Sequence, residues 1–340
     1  VRERQRAEIN SMQYGTIVHY ILERFFGEYT KEEYLSLEED KFQKIVCAYL
    51  AEYAVKYFGE EQLESNSFTY RLKTILDNVM YLMKHIMEEL SQSEFFVADC
   101  ELKIGEDIPS YTIVLPDGHK IAVCGSVDRV DIMQRADITY LRIIDYKTGT
   151  KQFKLSDILY GINLQMLLYL HSIEASGGDK YGEIVPAGIL YMPATVPYIS
   201  SDSLKSIDKL PDELNKKLKM NGLLLKDTEI IHGMDKTDAA TYIPVKIKAG
   251  EPVSSTSLAT LAEFGKIFKK VDMLIAEMGK NIYNGNIEAK PLKGGHDSCE
   301  YCPYDSVCAY RQSNPITCFS VDNKTVIEEI TNEINGKEEE

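Results

Sequence analysis

The sequence predicts an α+β domain: a mixed sheet flanked by helices, with a helical N-terminal region and a cysteine-rich C-terminal loop. Three observations predict it. Apolar residues recur at helical spacing up to about residue 90, the period shortens to two from residue 94, and a helical stretch at 156–173 lies between two apolar strand patterns.

Taken in order, residues 11–28 read as an amphipathic helix with Ile17, Ile21, Leu22, Phe25 and Phe26 on its apolar side. Residues 31–58 supply one or two more helices. Residues 67–90 supply a long one, with Phe68, Leu72, Ile75, Leu76, Val79, Met83, Ile86 and Leu90 in register. Strands follow at 94–104, then at 111–115 and 119–131 around the turn Pro116-Asp117-Gly118, then at 139–147. After the 156–173 helix an apolar strand at 184–192 closes on Pro193. Residues 194–255 are poorer in pattern and read as an insertion, with a charged helix near 203–220 and a hairpin within 223–247. Residues 256–282 form a helix, 283–318 a loop holding a cysteine cluster, and 321–340 a flexible tail ending in Lys-Glu-Glu-Glu. The expected organisation is one domain over 1–320: a helical region 1–92, a core 93–193, the insertion 194–255, and a helix with its cysteine loop at 256–320.

With 340 residues, 44% of them apolar, the chain has ample material for a buried core. It has no run of 18 apolar residues, so no membrane span is expected. The opening Val1-Arg2-Glu3-Arg4-Gln5-Arg6 has no signal-like apolar stretch behind it, so a cytoplasmic location is expected; without a starting Met it reads as part of something longer. The net charge of −15 argues against a protein that wraps nucleic acid over its whole surface. It is compatible with a local basic groove, or with a basic partner that does the gripping. Of seven cysteines, Cys47, Cys100 and Cys124 sit in apolar patterns and read as core residues. Cys299, Cys302, Cys308 and Cys318 cluster, which suggests metal or iron–sulfur ligation more than disulfides.

The chemistry centres on two segments, Gly125-Ser126-Val127-Asp128-Arg129 and Ile144-Asp145-Tyr146-Lys147-Thr148-Gly149. A strand has a side-chain period of two, so Asp145 and Lys147 share a face. Asp128, on the preceding strand, comes opposite them if the strands pair across the 132–138 turn. Two carboxylates and an ammonium on one face suit phosphodiester hydrolysis. Hard oxygen ligands bind Mg²⁺ or Mn²⁺, and a lysine stabilises the charge that develops on phosphoryl oxygens. As an isolated Asp-x-Lys the pattern more often marks a solvated face. The apolar Leu141 to Ile144 run leading into it, and Asp128 opposite, favour a site. His19 and Glu23 lie four apart on the first helix, and Gln165 and Tyr169 four apart on the later one.

These motifs, in order, resemble those of RecB-type nucleases of the PD-(D/E)XK superfamily, and most nearly the C-terminal nuclease domain of the AddB family: Gly15-x3-His19-x3-Glu23, Gly125-x2-Asp128-Arg129, Asp145-Tyr146-Lys147-Thr148-Gly149 and Gln165-x3-Tyr169. Cys299-x2-Cys302-x5-Cys308 is similar to the cysteine signature of their iron–sulfur branch. The resemblance implies a restriction-endonuclease-like core and metal-dependent exonuclease activity on DNA during double-strand break repair. His19, Asp128, Asp145 and the Tyr146 carbonyl would be metal ligands, Lys147 the catalytic lysine, Gln165 and Tyr169 the groups that position the lysine or a phosphate, and Glu101 an accessory acid. It also implies an AddA-like helicase–nuclease partner and a 4Fe-4S cluster. The fourth cysteine of that cluster falls before Val1, so the site reads as one ligand short, with Cys318 or His296 as stand-ins. A stand-alone RecB-like or Cas4-like exonuclease, a catalytically silent DNA-binding scaffold and a small zinc-binding interaction protein built on the cysteine loop are the rival readings.

Overall fold

In the computed structural model, residues 9–149, 152–197, 199, 210–254, 256–304, 307–308 and 315–338 are described. The first helix, α1 (Ser11–Glu28), starts at a capping box. The Asn10 side chain accepts from Gln13 N at 2.8 Å and the Gln13 side chain accepts from Asn10 N at 3.0 Å. This satisfies backbone donors that a helix start leaves open. Ile17, Val18, Ile21, Leu22 and Phe25 are sealed from solvent. Helices α2 (Lys31–Leu35), α3 (Glu39–Phe58), α4 (Glu60–Leu63) and α5 (Asn66–Ser91) complete the helical region. Helices α1 and α5 cover the stretches 11–28 and 67–90 that the apolar spacing predicts as helical.

Strand β1 (Phe96–Ile104) enters the sheet, and β2 (Tyr111–Val114) and β3 (Lys120–Val123) form a separate hairpin. Gly118 closes that hairpin with φ +87, donating to the Leu115 carbonyl at 2.9 Å. Next come β4 (Gly125–Arg135), β5 (Ile138–Lys147), α6 (Gln165–Ser176), α7 (Gly178–Tyr181) and β6 (Glu183–Pro193). The remaining elements are α8 (Leu210–Leu218), β7 (Asn221–Leu225), α9 (Thr228–Met234), β8 (Lys246–Lys248), β9 (Glu251–Val253), β10 (Leu258–Ala259), α10 (Leu261–Tyr283), β11 (Leu292–Gly294), β12 (Ile316–Cys318) and α11 (Asn323–Glu338).

Six strands make the central sheet in the order β1-β4-β5-β6-β7-β10. The pairs β1–β4, β4–β5 and β6–β7 are antiparallel, and β5–β6 and β7–β10 are parallel. The expected mixed sheet with helices is what forms. Helix α6 is the crossover between parallel β5 and β6, the connection that parallel neighbours require.

Several expectations are corrected. The 194–255 region is no simple insertion, because β7 pairs with β6 inside the central sheet. Gly222 and Leu223 to Leu225 are buried, so the strand shows no polar alternation to read. The hairpin expected within 223–247 is replaced by β8 pairing with β9. The charged helix near 203–220 is described only from Leu210, its earlier part lying outside the described residues. The single helix expected at 156–173 is a 3-10 turn at Leu155–Tyr160 that stops at Gly161 (φ +68), followed by α6. The tail expected at 321–340 is a helix from Asn323 to Glu338. Val326 and Ile330 are fully buried and Lys270 of α10 meets Glu333 at 2.5 Å. Cys47 and Cys124 are exposed and Cys100 half-buried, so none of the three is a sealed core thiol.

Behind β4 and β5 lies a sealed ionic cluster. Arg129, Asp131, Arg142 and Glu89 of α5 are each 0% exposed. Asp131 meets Arg129 at 2.8 Å and Arg142 at 2.9 Å, and Glu89 meets Arg142 at 2.6 Å and Arg129 at 3.3 Å. Two guanidiniums balance two carboxylates, which is the condition for keeping charge in a dry interior. The cluster ties the helical region to the strands that carry Asp128 and Asp145. No helix among the described residues is long and apolar enough to cross a membrane.

Candidate active site

The β4–β5 ladder runs to the pair Arg129↔Ile144. One step further, Asp128 stands opposite Asp145, and its carboxylate accepts from the Tyr146 N–H at 2.9 Å. The Asp128 side chain thus takes a backbone donor that the ladder would otherwise have used. Across β1, Glu101 lies between the pairs Cys100↔Arg129 and Leu102↔Val127, and so faces Asp128 from the other side. Glu101 has φ +50, a conformation uncommon for a residue with a side chain. Its carboxylate accepts from Ser126 Oγ at 2.9 Å and lies 3.0 Å from His19 Nδ1.

Helix α1 delivers His19 to these strand ends. Its Nε2 is 3.7 Å from an Asp128 oxygen, and its ring meets the Tyr146 ring edge-on at 5.6 Å. One donor atom each from His19, Glu101 and Asp128 lie within 4.8 Å of one another, the only such group of three among the described residues. Asp145 is outside this group. It is buried, and its carboxylate meets Lys147 Nζ at 2.5 Å, on the shared face that the strand period predicts.

The electrostatics follow from crowding. Burial raises the Asp128 carboxyl to about 6; the His19 charge and the Tyr146 N–H pull it down while the Asp145 and Glu101 charges push it up. Burial opposes a charged His19 ring. Its Glu101 hydrogen bond and the Asp128 and Glu101 charges outweigh that, and hold its pKa above the usual value. The hydrogen bond from His19 holds the Glu101 carboxyl below the usual carboxylate range, against burial. One imidazole and two carboxylates, with a third carboxylate adding negative potential, form a donor set for a hard divalent cation. The residues present fit such an ion.

The group opens into a cleft of about 720 Å³, lined by Gly15, His19, Glu23, Glu101, Lys103, Ser126, Tyr146 and Thr148, with Tyr20, Tyr53 and Tyr57 along one wall. Gln165 and Tyr169 come together as the helical spacing predicts, Gln165 Nε2 donating to the Tyr169 hydroxyl at 3.5 Å. The Tyr169 ring lies on Gly125, where a Cβ would come within 2.2 Å of the hydroxyl. This is the reason that β4 begins with glycine. Gly15 is less constrained, because a Cβ there would meet Thr148 only at 3.6 Å.

The cysteines behave differently. Cys318 is buried in β12 against Gly294 of β11, Cys299 and Cys302 are half-buried, and Cys308 is exposed. Among the described residues their sulfurs form no ligand group, and His296 lies apart in a small pocket with Asp157 and Asn163. The cysteines as placed do not fit a four-ligand iron–sulfur site, and neither stand-in completes one.

From the sequence Glu101 has only an accessory role, and no motif in it singles out Ser126 or the tyrosine wall. Ser126 was within reach, two residues before Asp128 on the same strand face. Tyr20 follows His19 on α1, while Tyr53 and Tyr57 carry no local signal, because α3 brings them to the cleft only through tertiary packing.

A profile for the PD-(D/E)XK nuclease superfamily matches residues 1–309. An ATP-dependent helicase/deoxyribonuclease subunit from Thermoanaerobacter sp. (strain X514) is 33% identical over 91% of this chain. Proteins of the same name from Alkaliphilus oremlandii and Clostridium kluyveri are 32% identical over 98% and 33% identical over 100% of it. The chain spans 28–30% of the length of these curated relatives. On the extent of both matches, the chain belongs to the PD-(D/E)XK nuclease superfamily.

Proposed function

We propose that this chain is a divalent-cation-dependent deoxyribonuclease, an exonuclease module that works in a two-subunit helicase–nuclease in the processing of DNA breaks. The observation that carries the reading is the convergence of His19, Glu101 and Asp128 beside the Asp145–Lys147 ion pair, with His19 and Glu101 lining one open cleft. The names of the relatives supply the helicase context.

In this reading His19, Glu101 and Asp128 hold Mg²⁺ or Mn²⁺, with Asp145 and the Tyr146 carbonyl at its edge. When bound, such an ion supplies a Lewis-acid centre for a phosphoryl oxygen and for the attacking water. The chain's own groups do the rest. Glu101 fixes the His19 ring through Nδ1 and leaves Nε2 facing Asp128. Asp145 orients the Lys147 ammonium at the strand end, where it donates to the water or to the phosphoryl oxygens. Gln165 and Tyr169, held against Gly125, steer Lys147 or a neighbouring phosphate. The net charge of −15 points to much of the grip on DNA coming from a longer protein that contains this chain or from a basic partner.

The test is digestion of an end-labelled single-stranded oligonucleotide with Mg²⁺ or Mn²⁺. Asp128→Asn and Lys147→Ala should each slow cleavage by on the order of 10²-fold or more, and EDTA should abolish it. Cleavage unchanged in both variants, or undiminished by EDTA, would overturn the assignment.

A further inference from the structure

The cleft wall formed by α1 and α3 has a feature that the metal-ligand group does not require. Tyr57, at the end of α3, lines the same cleft as His19 and Glu101 and is 55% exposed. Its ring is not loose. It packs on Tyr53 with centroids 4.4 Å apart and planes 34° apart, and Tyr53, itself 5% exposed, packs on Tyr20 at 5.2 Å. Tyr20 follows His19 on α1. The three rings therefore form a backed, rigid surface that runs from the ligand group to the rim. Tyr57 is the member left open to solvent.

Cations flank this surface. Lys56 Nζ lies over the Tyr57 ring, 5.2 Å from its centre, and Lys103, which pairs with Glu106 at 3.1 Å, lines the cleft. In a chain this acidic, a planar apolar face beside ammonium groups matches the two halves of a nucleotide. The base needs a π-face to stack on and the phosphate needs positive charge nearby. Tyr70 and Tyr301 are also exposed, at 73% and 88%, but neither lines this cleft. Continuity with the ligand group singles out Tyr57.

We propose that Tyr57, backed by Tyr53 and Tyr20, is a base-stacking subsite, taking one unpaired nucleobase of the strand whose phosphate reaches His19, Glu101 and Asp128. The inference rests on the nuclease reading and adds a register to it. The strand is held at a fixed offset from the cut by one ring. A base that is missing at that offset removes the contact, and a base that is paired cannot present its face.

Two measurements on the full chain test it. In the first, a single-stranded oligonucleotide carrying 2-aminopurine is titrated with protein in Ca²⁺, and the fluorescence reports Kd. Tyr57→Ala should weaken binding by about 5- to 100-fold, while Tyr57→Trp should retain it. In the second, a single abasic unit is moved along an otherwise normal oligonucleotide. The wild-type chain should show slow cleavage when that unit sits at one constant distance from the cut, and Tyr57→Ala should lose that minimum. A melting temperature within about 2 °C of wild type verifies that the exposed substitution leaves the fold intact. Wild-type cleavage together with an unchanged Kd and an unchanged abasic profile in Tyr57→Ala overturns the subsite alone. A wild-type chain that neither binds nor cuts single strands under any divalent cation overturns the nuclease reading, and the subsite with it.

Discussion

Glu89 is the point at which a small change should do large damage, far from any substrate. It comes from α5, while Arg129, Asp131 and Arg142 come from β4 and β5, and all four are 0% exposed. Glu89→Gln keeps the shape but leaves two guanidiniums facing one carboxylate in a sealed space. Two charged contacts weaken, the one to Arg142 at 2.6 Å and the one to Arg129 at 3.3 Å. Hydrogen bonds to charged groups contribute roughly 1.5–3 kcal/mol each. The pair thus gives about 3–6 kcal/mol, in line with the roughly 3–5 kcal/mol found when one partner of a buried ion pair is removed. Urea denaturation at pH 7 measures it. Arg142→Gln should cost a similar amount by leaving the opposite excess. The double variant Glu89→Gln/Arg142→Gln restores neutrality, so its loss should fall short of the sum of the singles by about 2 kcal/mol or more. A Glu89→Gln loss under about 1 kcal/mol, or a double variant additive to within roughly 0.5 kcal/mol, would refute the view that charge balance holds α5 to the sheet.

Three further predictions bear on the site and its surroundings. Gly125→Ala drives a methyl into the Tyr169 ring, and overpacking of this kind costs about 1–3 kcal/mol. Gly15→Ala meets only ordinary contact with Thr148 and should leave the melting temperature nearly unchanged, so equal effects would contradict the placement of Tyr169. Glu101→Gln should weaken Mn²⁺ binding by on the order of tenfold or more in titration calorimetry, with exposed Glu106→Gln as control; unchanged affinity would return the ligand role to Asp145. His171 lies 3.2 Å from Asp272 and 3.3 Å from Glu174, and these partners outweigh burial and lift its pKa to about 9. Its contribution, at most roughly 3 kcal/mol, is complete below the unfolded value near 6.5 and is lost as pH rises through about 9. The melting temperature of the wild type should therefore fall between pH 6.5 and 9.5 by more than that of His171→Gln, and parallel curves would exclude the effect.

Much of this protein is written in local periodicity. The apolar spacing of Ile17, Ile21 and Phe25 makes α1 amphipathic, and the period of two puts Asp145 and Lys147 on one face whatever surrounds them. Gln165 and Tyr169 meet because residues four apart on a helix are neighbours. Each of these pairs lies within a single element, so short-range geometry suffices. The joining of the pairs is another matter. His19 meets Glu101 from 82 positions away, and Glu101 meets Asp128 only because β1 pairs with β4 in one register, with Glu101 itself at φ +50. Strand β7 joins the sheet, and α11 buries Val326 and Ile330, because neighbours cover faces that composition left looking polar or patternless. The sequence by itself determined α1, α5, β5 and β6 and the shared face of Asp145 and Lys147, since these depend on side-chain period. Tertiary packing alone decided which carboxylate joins His19, which tyrosine faces the cleft, and where four buried charges balance, since those depend on distances between segments that no local period encodes.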